Sequence, residues 1–179
     1  MKKNLLAAFT GIFLLLVTGI TANGQRADVN SLPSGDVASF GKSISKNTSV
    51  MVDRNNLKPR LVKNFLRTFK NVSDEKWFEL QDGHIAMFSR NDIDYQVAYD
   101  KKGKWLRTIR SYSEAKLSGD LRHTVKSIYY DYEINLVQEI ETPNDPITYI
   151  IQLNGKTELI QLRISDGEMV VAKKFTKSE

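Results

Sequence analysis

Residues 58–110 read KPRLVKNFLRTFKNVSDEKWFELQDGHIAMFSRNDIDYQVAYDKKGKWLRTIR, and residues 117–175 read LSGDLRHTVKSIYYDYEINLVQEIETPNDPITYIIQLNGKTELIQLRISDGEMVVAKKF. Each opens with a helix-period segment and continues as four strand-like runs. Leu61, Phe65, Phe69, Val72 and Trp77 stand sixty positions before Leu121, Val125, Tyr129, Tyr132 and Val137. Beyond that the offset widens to sixty-five, so Ala86, Phe88, Val97 and Tyr99 match Ile151, Leu153, Leu162 and Ile164. The longer turn Thr142-Pro143-Asn144-Asp145-Pro146 replaces Gln81-Asp82-Gly83 and absorbs the difference. Self-similarity at a fixed period is the signature of a tandem repeat.

In the first copy Pro59 suits the first turn of a helix. Leu61, Val62, Phe65, Leu66 and Phe69 follow as one apolar stripe. Lys58, Arg60, Lys63, Arg67 and Lys70 mark the other face, with no acidic residue between them. Strands are expected at 75–81, 84–90, 93–100 and 104–110, separated by Asp82-Gly83, Asn91-Asp92 and Lys102-Gly103. The second helix spans about 118–130, with Ser118 and Asp120 as capping candidates and Leu121, Val125, Ile128, Tyr129 and Tyr132 as its stripe. Strands at 133–141, 147–153, 157–164 and 168–175 follow, with Asn154-Gly155 and Asp166-Gly167 as hairpin turns. Connections this short force antiparallel pairing, since a parallel crossover needs about a dozen residues. The fold class is therefore α+β: two helix-plus-four-strand repeats, residues 57–112 and 113–179, forming one eight-stranded antiparallel sheet with both helices on one face.

Upstream, Met1-Lys2-Lys3-Asn4, the apolar run from Leu5 to Ile20 and the small-residue pattern Ala22-Asn23-Gly24 make residues 1–24 a secretory signal cleaved before Gln25. The run is shorter than the ~20 residues that span a bilayer, so no stable membrane insertion is expected after cleavage. Residues 25–56 are polar, without sustained periodicity, and read as a flexible leader, the alternative of a docking strand near Ser49-Val50-Met51-Val52 having no support in the pattern. Removing 24 of 179 residues leaves 155, enough for a core that needs no disulfide, and the chain has no Cys. The net charge falls from +5 to +3 as Lys2 and Lys3 leave, too little to argue for nucleic acid. The product is expected to be periplasmic or secreted.

Alternation places Ala86, Phe88, Tyr95, Val97 and Tyr99 with Ile151, Leu153, Ile160, Leu162 and Ile164 under the helices. The opposite parity holds Ile85, Met87, Gln96 and Ala98, then Ile150, Gln152, Leu159, Gln161 and Arg163. Two helices cover one side of the sheet, and an open face bearing Ile, Met and Leu is a surface that a partner covers. The candidate partner-binding residues are Ile85, Met87, Gln96, Ala98, Trp105, Gln161 and Arg163. Trp105 joins them as an aromatic anchor, whereas Trp77 aligns with the core position Val137.

No catalytic, cofactor or metal site is expected. His84 and His123 have no acidic or His neighbour at ligand spacing. Ser-x-x-Lys at Ser39, Ser43 and Ser113 lacks the partner motifs of penicillin-recognising enzymes. No Gly-rich phosphate loop joins a strand to a helix, and Asp92 and Asp94 belong to a hairpin turn. A non-enzymatic binding module for an envelope protein or peptide is the leading expectation. A carrier of a small apolar ligand is the alternative, and an enzyme ranks third.

The Val72-x-x-x-x-Trp77 strand entry, the Tyr99-Asp100-x-x-Gly103-x-Trp105 hairpin and the Tyr132-x-Ile134 entry resemble those of the PepSY-like, beta-lactamase-inhibitor-like periplasmic proteins of Bacteroidetes. The resemblance covers residues 58–175. It implies two helix-plus-four-strand units side by side and a curved sheet whose open face binds a protein. PepSY domains restrain peptidases in protease propeptides, so an inhibitory or chaperoning role is implied. No catalytic residue carries over.

Overall fold

A computed structural model describes residues 49–177. The signal sequence and residues 25–48 of the leader lie outside the described residues.

The chain runs β1 (Val50–Val52), α1 (Pro59–Thr68), β2 (Lys76–Leu80), β3 (Gly83–Arg90), β4 (Ile93–Asp100), β5 (Trp105–Tyr112), α2 (Gly119–Ile128), β6 (Glu133–Glu141), β7 (Thr148–Asn154), β8 (Glu158–Ser165) and β9 (Glu168–Thr176). Single 3-10 turns at Arg54–Asn56 and Glu114–Lys116 precede the two helices. The nine strands form one open antiparallel sheet in sequence order. Sequence periodicity predicts eight. The ninth is β1, which pairs Val50 with Glu79 and Val52 with Trp77. It lies within the segment read as leader, where three residues are too few for alternation to register.

Turn chemistry sets the registers. Asn91 and Asp92 both adopt positive φ, 54° and 61°, so a two-residue turn joins β3 and β4 in unbroken register from Gly83↔Asp100 to Arg90↔Ile93. Asp166 and Gly167 likewise turn β8 into β9, at φ 52° and 77°, in a pairing whose register shifts once, between Gln161 and Leu162. The β4–β5 turn is different because it is also a docking point. Asp100 Oδ1 accepts from the amides of Lys102 and Lys104, both at 2.8 Å. These bonds, that from Lys104 foremost, hold the Asp100 carboxyl below its ordinary range. Gly103 (φ 75°) then presents its α-carbon to the first turn of α1, where a β-carbon would sit 3.0 Å from Leu61. Asn64 Nδ2 donates to the Gly103 carbonyl at 2.7 Å, and Lys58 Nζ donates to that of Lys101 at 2.8 Å.

Two cores lie on the helix face. In the first, Leu61 and Phe65 of α1 are fully buried against Trp77, Ala86, Phe88, Val97 and Tyr99. Its rings interlock: Phe65 meets Trp77 edge-on at 5.1 Å and Phe88 at 5.7 Å, and Phe88 stacks on Tyr95 at 4.7 Å. Trp77 Nε1 donates to the buried carboxylate of Glu75, which is also ion-paired with Arg54. The second core is mainly aliphatic: Val125 of α2 packs with Val137, Ile151, Leu153, Ile160, Leu162 and Ile164. Ser118 Oγ caps α2, accepting from Leu121 N. The ten helix-face residues predicted from alternation are all buried. Two residues of the predicted stripes are exposed instead, Leu66 at 40% and Ile128 at 60%. At 100° per residue each stands off the line that runs through Phe65 or Val125 and faces water.

Between the cores the helix face is polar. Arg110 on β5 bridges Glu139 and Glu141 on β6, Nη1 to Oε1 and Nη2 to Oε2, each at 2.7 Å. Tyr112 Oη donates to Glu139 Oε2 at 3.0 Å. Burial alone would lower the Arg110 pKa, but its bonds and charge contacts with Glu141 and Glu139 outweigh it and raise the pKa above the ordinary value. Burial, reinforced by Glu139, likewise raises Tyr112.

Three expectations follow for denaturant unfolding. Phe65→Ala loses about 3–5 kcal/mol, while Leu66→Ala stays within about 0.5 kcal/mol of wild type. Gly103→Ala costs more than Gly167→Ala, because both demand positive φ (about 1–2 kcal/mol) but Gly167 has open space around it and Gly103 has α1. Arg110→Met costs about 1–3 kcal/mol by stripping the bonds from two half-buried carboxylates.

Candidate functional site

The open face and the helix face each present a candidate surface. On the open face, cross-strand register lines side chains into rows. Phe78, Ile85, Ala98 and Arg107 form one row; Met87, Gln96, Ile109, Ile140 and Thr148 form the next. Ile150 pairs with Arg163, and Gln152 with Gln161. Ile85, Met87, Gln96 and Ala98, predicted as binding residues, are thus mutual neighbours on β3 and β4. Ile85 and Ala98 are only 7% and 4% exposed, flanked along their row by the larger Phe78 and Arg107. Met87 and Gln96 are half-buried and present the reachable surface there. Gln161 and Arg163 lie four strands away from β4, on β8, with Arg163 exposed.

Trp105 is not with them. Parity along β5 would put it beside Arg107 and Ile109, but the register runs Ala98↔Arg107 and then Tyr99↔Trp105. The extra residue, Leu106, makes a bulge that turns Trp105 to the helix face. There its ring packs against the first core and its Nε1 donates to the buried Thr108 hydroxyl at 3.0 Å.

Trp105 lies in a cleft of about 460 Å³ beside α1. Arg60, Asn64, Arg67 and Thr68 form one wall, at i, i+4, i+7 and i+8 of a single helix stripe. Tyr99, Lys104, Trp105, Thr108 and Arg110 complete the lining with Phe69, Glu141 and Pro143. Among these residues Glu141 is the one carboxylate, and Arg110 holds it. No carboxylate among the described residues pairs with Arg60, Arg67 or Lys104. Burial raises the Tyr99 pKa, with Arg67 pulling weakly the other way, so the phenol stays protonated and can donate. The cleft therefore offers donors and positive charge, not a base and a nucleophile. The acid-free basic run from Lys58 to Lys70 is its trace in the sequence. What the sequence does not show is that the β4–β5 turn folds Lys104 and Trp105 against that run.

Among the described residues no group of three or more His, Asp or Glu is placed to hold a metal ion. His84 is half-buried on β3 and His123 is exposed on α2. Burial lowers the His84 pKa, Glu79 opposing and Lys58 adding to the effect. No helix among the described residues is long and apolar enough to cross a membrane.

No family model and no curated protein matches the chain in sequence. Solved structures do match in fold. A BLIP-like protein from Bacteroides fragilis aligns at a TM-score of 0.55 and 18% identity, covering 72% of this chain and 95% of its own. DUF2874 family proteins from Bacteroides ovatus and Bacteroides uniformis align at 0.55 with 16% and 10% identity; they cover 68% and 67% of this chain and 89% of theirs. At such identities the likeness is one of fold, and function must be argued from the surfaces.

Proposed function

We propose that the chain is an exported, non-enzymatic binding module of the periplasm that engages a protein or peptide of the cell envelope through its open sheet face. In this reading the two helix-plus-four-strand units are tandem repeats of the BLIP-like and PepSY-like kind, and binding inhibits or chaperones the partner. One observation carries the proposal. Both helices pack on one face, which leaves Phe78, Met87, Ile109, Ile150, Leu159 and Val170 on the other, spaced by Gln96, Gln152, Gln161 and Arg163. Apolar anchors interleaved with amide donors and acceptors suit a protein partner, which needs both burial and satisfied polar groups. The signal sequence supports export. A carrier of an apolar ligand finds less support, because interlocked rings fill the space between α1 and the sheet, and the adjoining cleft is lined by cations and hydroxyls.

The test is affinity capture from envelope extract with purified protein and a Met87→Asp/Arg163→Glu variant, neither position being buried. The expected result is one or more partners held by wild type and lost by the variant, with the melting temperature unchanged within a few degrees. Capture that survives both changes would overturn the open-face reading.

A further inference from the structure

We infer that the cleft between α1 and β5 is a second binding site, on the face opposite the proposed partner surface, and that it takes a ligand bearing a phosphate group. Three observations converge on it. First, Arg60, Arg67 and Lys104 border one cleft of about 460 Å³ without a carboxylate partner among the described residues, and the acid that does line it is neutralised by Arg110 at 2.7 Å. Cations lining one concave surface focus a positive potential that favours an anion there.

Second, an unpartnered donor borders the cleft. Tyr99 is 2% exposed and lines the cleft, yet its hydroxyl makes no hydrogen bond with any described residue. A phenol left without a protein partner is free to donate to a ligand oxygen. Arg67 is the charge that acts on this hydroxyl, so guanidinium and phenol address the same region.

Third, the donors outnumber what a carboxylate can use. Arg60, Arg67, Lys104 and Tyr99 approach from α1, from β4 and from the residue that precedes β5. A carboxylate has two oxygens, whereas a terminal phosphate offers three and carries a charge of about −1.5 to −2 at neutral pH. Arginine's planar fork suits bidentate contacts to it. The ring of Trp105 gives the remainder of the ligand an apolar wall.

A soluble phosphate compound and a lipid headgroup share this chemistry, and the probes separate them. Calorimetric titration of the purified protein with pyrophosphate at low salt is one arm; sedimentation with phosphatidylglycerol or phosphatidylcholine vesicles is the other. Saturable one-to-one pyrophosphate binding is expected. Arg60→Gln/Arg67→Gln should weaken it at least about tenfold, as loss of charge-assisted bonds implies, while Lys63→Gln on the same helix changes it less than about twofold. Both arginines are exposed, so the melting temperature should hold. Binding to phosphatidylglycerol vesicles alone, lost in the double variant, would assign the phosphate to a lipid. Equal affinity for glutarate would overturn the phosphate assignment. Affinity untouched by the double variant, or no binding by either probe, would overturn the site itself. The variants leave the open face intact, so failure here is distinguishable from failure of the partner-capture experiment.

Discussion

Coverage is the constraint from which the rest of this molecule follows. Nine strands at a spacing of about 4.8 Å make a sheet roughly 38 Å across. Two helices about 10 Å in diameter shield little more than half of one face. Each ten-residue helix gathers its own core, one under α1 and one under α2. The strip between them, on β5 and β6, cannot be apolar without exposing it. Arg110, Glu139, Glu141 and Tyr112 fill that strip with bonds across the strands. The cleft opens where this polar seam meets the flank of α1, and the open face exists because no third element covers it.

The two halves solve the same packing problem with different side chains. Beneath α1, five aromatic rings lock edge to face, and the β4–β5 turn is drawn onto the helix through Gly103, Asn64 and Lys58. Beneath α2, branched aliphatics do the filling, and in the corresponding Asp166-Gly167 turn a β-carbon at Gly167 would meet nothing within 4 Å. A glycine that must be glycine for two reasons, positive φ and close approach, marks the half in which the hairpin is packed onto its helix. This is also the half that carries the cleft.

Most of the architecture was legible because it is periodic. Helix stripes and strand alternation depend on residues a fixed number of positions apart, and the ten helix-face residues that alternation selects are all buried. What escaped was aperiodic. Three residues of β1 leave no alternation to detect. Leu66 and Ile128 are apolar by type but sit on the wrong side of a narrow stripe. Trp105 was misplaced by one inserted residue, since a side-chain period of two inverts at every bulge. The cleft was half visible, as a basic helix face without acids. Its other half comes from β5, forty residues later, where only the tertiary fold brings Lys104 and Trp105 to it.

That bulge has a larger consequence than one misplaced ring. Strands β4 and β5 serve both candidate surfaces: Ala98 and Arg107 face the open side, and the next pair, Tyr99 and Trp105, faces the cleft. Were Leu106 an ordinary ladder residue, alternation would carry Trp105 to the open face, where the row from Phe78 to Arg107 already crowds Ile85 and Ala98. The cleft would then lose its apolar wall, and Thr108 its bond to the indole. A single extra residue therefore sends Trp105 and Arg107, two positions apart, to opposite faces. It lets a sheet with too few helices present two chemically different surfaces from the same pair of strands.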